Sequence, residues 1–293
     1  MPISSKFSVF AGIILILLCR ETVVFAEEGP PTISLGGTDI RFFSSKKIYQ
    51  QYVADPQRLT LGIERVWVFH NDIDLSGSGR YMLRAGGEAS LADLYLQGDK
   101  RPMAQLSLFG GYQGMVDLKH WNDTIAWDGK YGFALSFQAT DHLFLRAGMR
   151  HTSSHLGDQT EVTSIIAYNS YSRDEVFAAS SLVYGQWRIY GEGGYGYGMF
   201  TDFQKPLRVQ GGIEYEAPTA FSSRGVGWYA AVDLSSLEER NWKLDRAIQV
   251  GLEAKPYCAI WRLGFSFVDG RIPIGELVLK TEKYIGFGLS IDL

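Results

Sequence analysis

Cysteine is nearly absent from this chain: 293 residues contain two, Cys19 and Cys258. Cys19 falls in a leader segment described below, so no internal disulfide is available and stability must come from burial and hydrogen bonding. Beyond residue 26 no apolar run reaches the roughly 20 residues that a helix needs to cross a bilayer. A polytopic helical protein is thereby excluded. Basic charge is also scarce, with 28 Lys and Arg against 32 Asp and Glu and a formal net charge of −4. No basic footprint for nucleic acid exists. Proline is sparse at nine, and Pro30, Pro31 and Pro56 fall in the polar stretch 27–58, which reads as an extended arm.

What the chain does have is glycine, aromatic residues and alternation. It carries 33 Gly, 16 Tyr, 17 Phe and 7 Trp. From about Leu59 onward, apolar residues alternate with small or polar ones. Near the carboxyl end Ile285, Phe287, Leu289, Ile291 and Leu293 are separated by Gly286, Gly288, Ser290 and Asp292. Successive side chains of a strand point to opposite faces, so each such segment is a ribbon with one greasy and one polar side. Transmembrane barrels hide their hydrophobicity in this way.

The first 26 residues set the compartment. Lys6 provides a positive start, 10–19 is apolar apart from Gly12, and Val24-Phe25-Ala26 offers small residues at the cleavage positions. The expectation is a secretory signal peptide cut after Ala26, followed by a periplasmic arm over 27–58 and a barrel over 59–293. Leu17-Leu18-Cys19 departs from a lipoprotein cleavage box, because Leu18 stands where a small residue is needed.

Candidate strands are 59–70, 79–97, 104–119, 131–140, 143–155, 168–184, 187–199, 207–217, 227–236, 244–255, 259–269 and 284–293. The connections 140–142, 185–186 and 255–258 are tight, whereas 119–130, 156–167 and 270–283 read as long and polar. Bacterial outer-membrane barrels have short periplasmic turns and long outer loops. The fold class expected is all-β, an antiparallel transmembrane barrel of about 12 strands (range 10–14) in the outer membrane of a Gram-negative cell. Its partners would be outer-membrane lipid and the barrel assembly machinery. A soluble sandwich or lipocalin-like barrel would alternate too, but would bury the apolar phase inside. Trp67, Trp121, Trp187, Trp228 and Trp261 read as interfacial girdle anchors. The phase change near 91–94 reads as a bulge.

Candidate chemistry is concentrated in His151-Thr152-Ser153-Ser154-His155. The apolar phase Leu143, Leu145, Ala147 and Met149 continues through His151, Ser153 and His155, which places a hydroxyl between two imidazoles on the lipid-facing side. Alternate residues lie roughly 6.6 Å apart along a strand, so a Ser hydroxyl can reach an imidazole two positions away. Two histidines twice that far apart do not share one zinc ion. If the following loop turns symmetrically, Asn169 stands across from His155, Tyr171 across from Ser153 and Arg173 across from His151. Asn169 is then the orienting amide. The structural alternative is that Ser153, Ser154 and His155 order a strand end, with Gly157 and Asp158 supplying a turn. Arg146, Arg150, Asp174, Arg84 and Glu88 read as a lumenal charge network or a pore lining.

The His151-Thr152-Ser153 spacing resembles outer-membrane phospholipase A and the lipid A deacylases, which use a His-x-Ser strand with an Asn or Glu on the next strand to hydrolyse acyl esters. Here Ser154-His155 follows where the phospholipases carry Asn-Gly. That resemblance implies Ser153 as nucleophile, His151 or His155 as base, Asn169 as orienter, and calcium on loop carboxylates such as Asp158 or Glu161. A broader resemblance covers nearly the whole mature chain. Tyr52-Val53-Ala54-Asp55-Pro56, 153–158, Ser172-Arg173-Asp174-Glu175, Ala230-Ala231-Val232-Asp233-Leu234, Asn241-Trp242 and Gly286-Phe287-Gly288-Leu289 are similar to the bacterial domain of unknown function 1207 family. It implies an exported barrel-like protein without an assigned activity. The functional expectation is a structural or transport-related barrel with a charged, largely filled lumen and no cofactor; the alternative is a Ser-His lipid acyl hydrolase.

Overall fold

The computed structural model describes residues 29–72, 79–117, 124–157, 170–217, 225–256 and 259–292. Fourteen strands form one sheet. Twelve make the wall: β3 (Leu61–Asn71), β4 (Gly79–Leu96), β5 (Ala104–Asp117), β6 (Thr124–Gln138), β7 (Leu143–Leu156), β8 (Tyr171–Tyr184), β9 (Trp187–Met199), β10 (Leu207–Glu216), β11 (Val226–Leu237), β12 (Leu244–Ala254), β13 (Ile260–Arg271) and β14 (Thr281–Asp292). Each pairs antiparallel with its sequence neighbour, and β14 pairs with β3, closing the ring. Leu61 stands opposite Ile291, so the wall begins and ends at the same rim.

The two phases of the strands face opposite environments, and the greasy phase is outside. Exposed residues include Leu106, Leu108, Phe133, Leu135, Phe137, Val250, Leu252, Leu263 and Phe265. A soluble protein rarely exposes contiguous apolar surface beyond a few hundred Å². Inside, nine arginines are buried among the described residues, together with Glu64, Glu88, Glu175, Glu192, Glu214, Glu253 and Glu282. Each buried guanidinium has an acidic partner; Arg208, for example, binds both Glu175 and Glu192. This inverted arrangement rules out the soluble sandwich. Trp67, Trp187, Trp228 and Trp261 lie on the exterior, and Trp121 lies outside the described residues.

Strand β3 starts opposite Ala85, while β4 runs on to Leu96. The overhanging edge of β4 is covered by a hairpin from the arm. Strand β1 (Thr32–Leu35) pairs with β2 (Thr38–Phe42), and β2 pairs with residues 92–96 of β4. Gly36 and Gly37 take φ of 53° and 88°, as a two-residue hairpin turn of the primed type requires. The register slips between Ser90 and Ala92, where a bulge was expected.

Past this hairpin the arm enters the lumen and fills it from the rim that holds both strand ends. Tyr52 stacks on Tyr190 with centroids 3.8 Å apart, and its hydroxyl donates to Glu192 Oε2 at 2.8 Å. Burial and the Glu192 carboxylate push the Tyr52 phenol up, so it remains a neutral donor. Arg188 donates to the Gln50 and Gln51 carbonyls at 2.7 and 3.1 Å and lies over the rings of Tyr49, Tyr52 and Tyr190.

The opposite end is filled by the β13–β14 connection. The sequence reading as a long polar loop over 270–283 is corrected here: Ile272, Ile274, Leu277 and Val278 turn inward and are buried. Ile272, Ile274 and Leu277 pack with Val66, Met82, Met115, Ile125, Leu156 and Tyr284 around a 3-10 turn at Gly275–Leu277, and Val278 packs with Tyr171 and Leu237. Its composition, Ile-Pro-Ile-Gly-Glu-Leu-Val-Leu, is that of a core segment, and burying four such side chains contributes roughly 1.5–3 kcal/mol each. The two plugs meet at Gln113, whose Nε2 donates to the Pro56 carbonyl at 3.0 Å and to that of Pro273 at 3.3 Å.

Candidate functional site on the outer wall

The alternation of β7 divides its upper half cleanly. Arg146, Arg150, Thr152 and Ser154 point inward, and Leu145, Ala147, Met149, His151, Ser153 and His155 point outward. Side chains of register partners share a face, so the neighbouring strands complete the outer cluster. On β6, Tyr131 is opposite His151, Gly129 opposite Ser153 and Trp127 opposite His155. On β8, Asp174 is opposite His151 and Ser172 opposite Ser153.

Two polar contacts result on this part of the outer wall. Ser153 Oγ lies 3.1 Å from His155 Nε2, and His151 Nδ1 lies 2.7 Å from Asp174 Oδ1. Both imidazoles rest on aromatic rings: His155 on Trp127 at 4.5 Å between centroids and His151 on Tyr131 at 4.8 Å. Trp127 is in turn stacked with Tyr112. Gly129 has no side chain, which leaves the wall open beside Ser153 between the Trp127 and Tyr131 rings. The histidine side chain is 23% exposed and Asp174 is 42% exposed, so the cluster is reachable from outside.

This geometry corrects the placement of Asp174. It faces outward and binds His151, and is no part of the lumenal network. The residue that points inward there is Arg173, opposite Thr152 rather than His151. The assumed register was one residue out, because both phases of β8 read alike: Val176, Ala178, Ser180 and Leu182 on one face, Phe177, Ala179, Ser181 and Val183 on the other. The signal that could have found Asp174 is its parity with Val176 once β7 and β8 are paired. Asn169, Asp158 and Glu161 lie outside the described residues.

Inside the wall, Arg146 binds Glu88 at 2.9 Å and Arg84 binds Glu64 at 3.0 Å. Arg150 donates to Glu175 and, at 3.0 Å, to Glu192. Among the described residues no group of three or more His, Cys, Asp or Glu side chains is placed to hold a metal ion.

Chemically, the outer cluster has a hydroxyl within hydrogen-bond reach of one imidazole and a second imidazole held by a carboxylate. Ser153 is two residues from each histidine, so rotation about its Cα–Cβ bond moves Oγ from one ring toward the other. These are the parts of nucleophilic acyl transfer, identified by geometry and not by order in the chain.

No curated protein sequence matches the chain. Among solved structures, outer membrane phospholipase A from Escherichia coli is similar at a TM-score of 0.53 and 12% identity, covering 80% of this chain and 93% of that one. The Salmonella typhi outer membrane phospholipase dimer with bound calcium is similar at a TM-score of 0.50 and 12% identity, over 83% and 94% of the two chains. LpxR from Salmonella typhimurium aligns at a TM-score of 0.41 and 10% identity over 79% of this chain and 99% of that one. At such identities the likeness is one of fold: the wall is that of outer-membrane barrels. The family model described as "Protein of unknown function (DUF1207)" matches residues 107–293, from within β5 through every later strand, and the chain belongs to that family.

Proposed function

We propose that this protein is an outer-membrane hydrolase of lipid acyl esters, with its site on the membrane-facing wall near the rim opposite both strand ends. The observation that carries the reading is the Asp174–His151 hydrogen bond beside the Ser153–His155 contact, which sets a hydroxyl, two imidazoles and a carboxylate together on the exterior of the wall. A polar cluster in such a wall is costly without a role. The similar folds of the outer membrane phospholipases agree with this reading without carrying it.

In the proposed reaction Ser153 Oγ attacks the acyl carbonyl and gives its proton to Nε2 of His151, whose Nδ1–H is tied to Asp174. The ester C–O bond then breaks, and the leaving alkoxide takes that proton. Water, deprotonated by the same imidazole, releases the fatty acid from Ser153. In the resting arrangement the protonated Ser153 hydroxyl is hydrogen-bonded to His155 Nε2, and Trp127 and Tyr131 flank the acyl group. Calcium held by Asp158 or Glu161 at the neighbouring loop is tested by assaying with a chelator. Purified protein is expected to release fatty acid from phospholipid or lipopolysaccharide, and Ser153→Ala to lower this by at least about 10³-fold. Release that survives Ser153→Ala overturns the assignment.

A second reading is favoured by a different observation, the filling of the lumen from both ends. In it the protein is a closed structural barrel, or a transporter whose plugs move. Stepwise conductance that changes when Arg146 or Arg150 is neutralised supports transport.

A further inference from the structure

Directly behind Ser153, the inward-folded loop is tied to the wall by two buried hydrogen bonds. The Gly275 N–H donates to Asp128 Oδ1 at 2.9 Å, and the Glu276 N–H donates to Ser154 Oγ at 2.9 Å. Asp128 and Ser154 are register partners, and the adjoining pair is Gly129 and Ser153. A Cβ on Gly275 would run into the Tyr171 ring and come within 2.9 Å of Ser154 Cβ, so only glycine permits this approach. Tyr171 is opposite Ser154 on β8. One turn therefore touches β6, β7 and β8 on their inner faces. The outer faces of these three strands carry Trp127 and Tyr131, then His151, Ser153 and His155, then Asp174.

The turn is anchored firmly enough to act as a template. Ile272, Ile274 and Leu277 are at most 1% exposed and pack against Ile125 and Ala126 of β6 and Leu156 of β7. A strand has one backbone, so a shift imposed on Asp128 and Ser154 from inside moves Gly129 and Ser153 outside. In the proposed chemistry a misplacement of about 1 Å costs about 10²-fold in rate.

We propose that the Gly275-Glu276 turn is a positioning element for the outer-wall site, with Asp128 and Ser154 as the positioning residues through which it acts. The inference rests on the hydrolase reading. None of these groups touches substrate, so their removal lowers kcat and leaves KM in place.

The test uses the full-length barrel in detergent. It measures the rate of covalent labelling of Ser153 by a fluorophosphonate, kcat and KM for phospholipid, and the heat-modifiable electrophoretic mobility that reports a closed barrel. Asp128→Ala and Ser154→Ala are expected to label about 10–10²-fold more slowly at unchanged mobility. Asp128→Asn, whose amide oxygen still accepts from Gly275, is expected to restore most of the rate. Wild-type labelling and kcat in both alanine variants overturn the inference. Should Asp128→Ala fail to close, Ser154→Ala, which removes one hydroxyl, decides alone. Wild-type protein that is neither labelled at Ser153 nor hydrolytic overturns the hydrolase reading itself, an outcome seen without any positioning variant.

Discussion

Single residues in this barrel matter through what they neutralise. Glu175 is 2% exposed and receives hydrogen bonds from Arg150, Arg173 and Arg208. Of those three guanidiniums, Arg150 and Arg208 are left with Glu192, and Arg173 with Glu239, when its charge is removed. Removing one partner of a buried ion pair typically costs about 3–5 kcal/mol. Glu175→Gln is therefore expected to lower the temperature at which the barrel loses its compact electrophoretic form, whereas Asp39→Asn on the hairpin leaves it unchanged. On the outer wall the cost is in rate. Asp174→Asn keeps the shape but loses the anion that stabilises an imidazolium at His151. A drop in hydrolysis of roughly 10²–10⁴-fold is expected, with the barrel intact. An undiminished rate would make His155 the base. His151, Ser153 and His155 were legible from sequence because β7 alternates without ambiguity. Asp174 was not, because β8 carries small or apolar residues on both faces.

Elements were legible where their period was legible. The expected strands match the wall to within a few residues at most ends, and β6 departs most, starting at Thr124 instead of 131. The segments that fill the lumen escaped, for opposite reasons. The arm over 43–60 is polar and has no period, yet it is a core segment, because the lumen it enters is itself lined with Arg and Glu. The 272–280 loop is apolar, and its position between strands made it read as an outer connection. The arm is held at a few points, chiefly the Tyr52–Tyr190 stack, the Arg188 donations to the Gln50 and Gln51 carbonyls, and Val53 N–H on Glu214. Replacing both Tyr52 and Arg188 by Ala is expected to free it. Lys46, Lys47 and Arg58 would then be cut by trypsin in the folded barrel, while the wild-type arm stays protected. Equal cleavage in both proteins would mean that the hairpin on β4, and not the lumenal latch, holds the arm.

At the scale of the whole molecule the two plugs stand in series. The arm occupies one end, the 272–280 loop the other, and they touch where Gln57 Nε2 donates to the Pro273 carbonyl at 3.3 Å and Gln113 bridges Pro56 and Pro273. Between them a cavity is lined by Lys130, Arg150, Thr152 and Tyr171 from the wall and by Tyr52 and Gln57 from the arm. An ion crossing the barrel must pass both, so opening one adds nothing to the conductance while the other is seated. Wild-type protein in planar bilayers is expected to be silent, and the Tyr52→Ala, Arg188→Ala double variant to be silent as well. Conductance steps are expected only when that double variant is combined with Ile274→Asp and Leu277→Asp, which make burial of the inner loop unfavourable and drive it toward water. Steps from the arm variant alone would show that the inner loop yields without mutation, and would shift the balance from a hydrolytic barrel with a fixed interior toward a gated transporter.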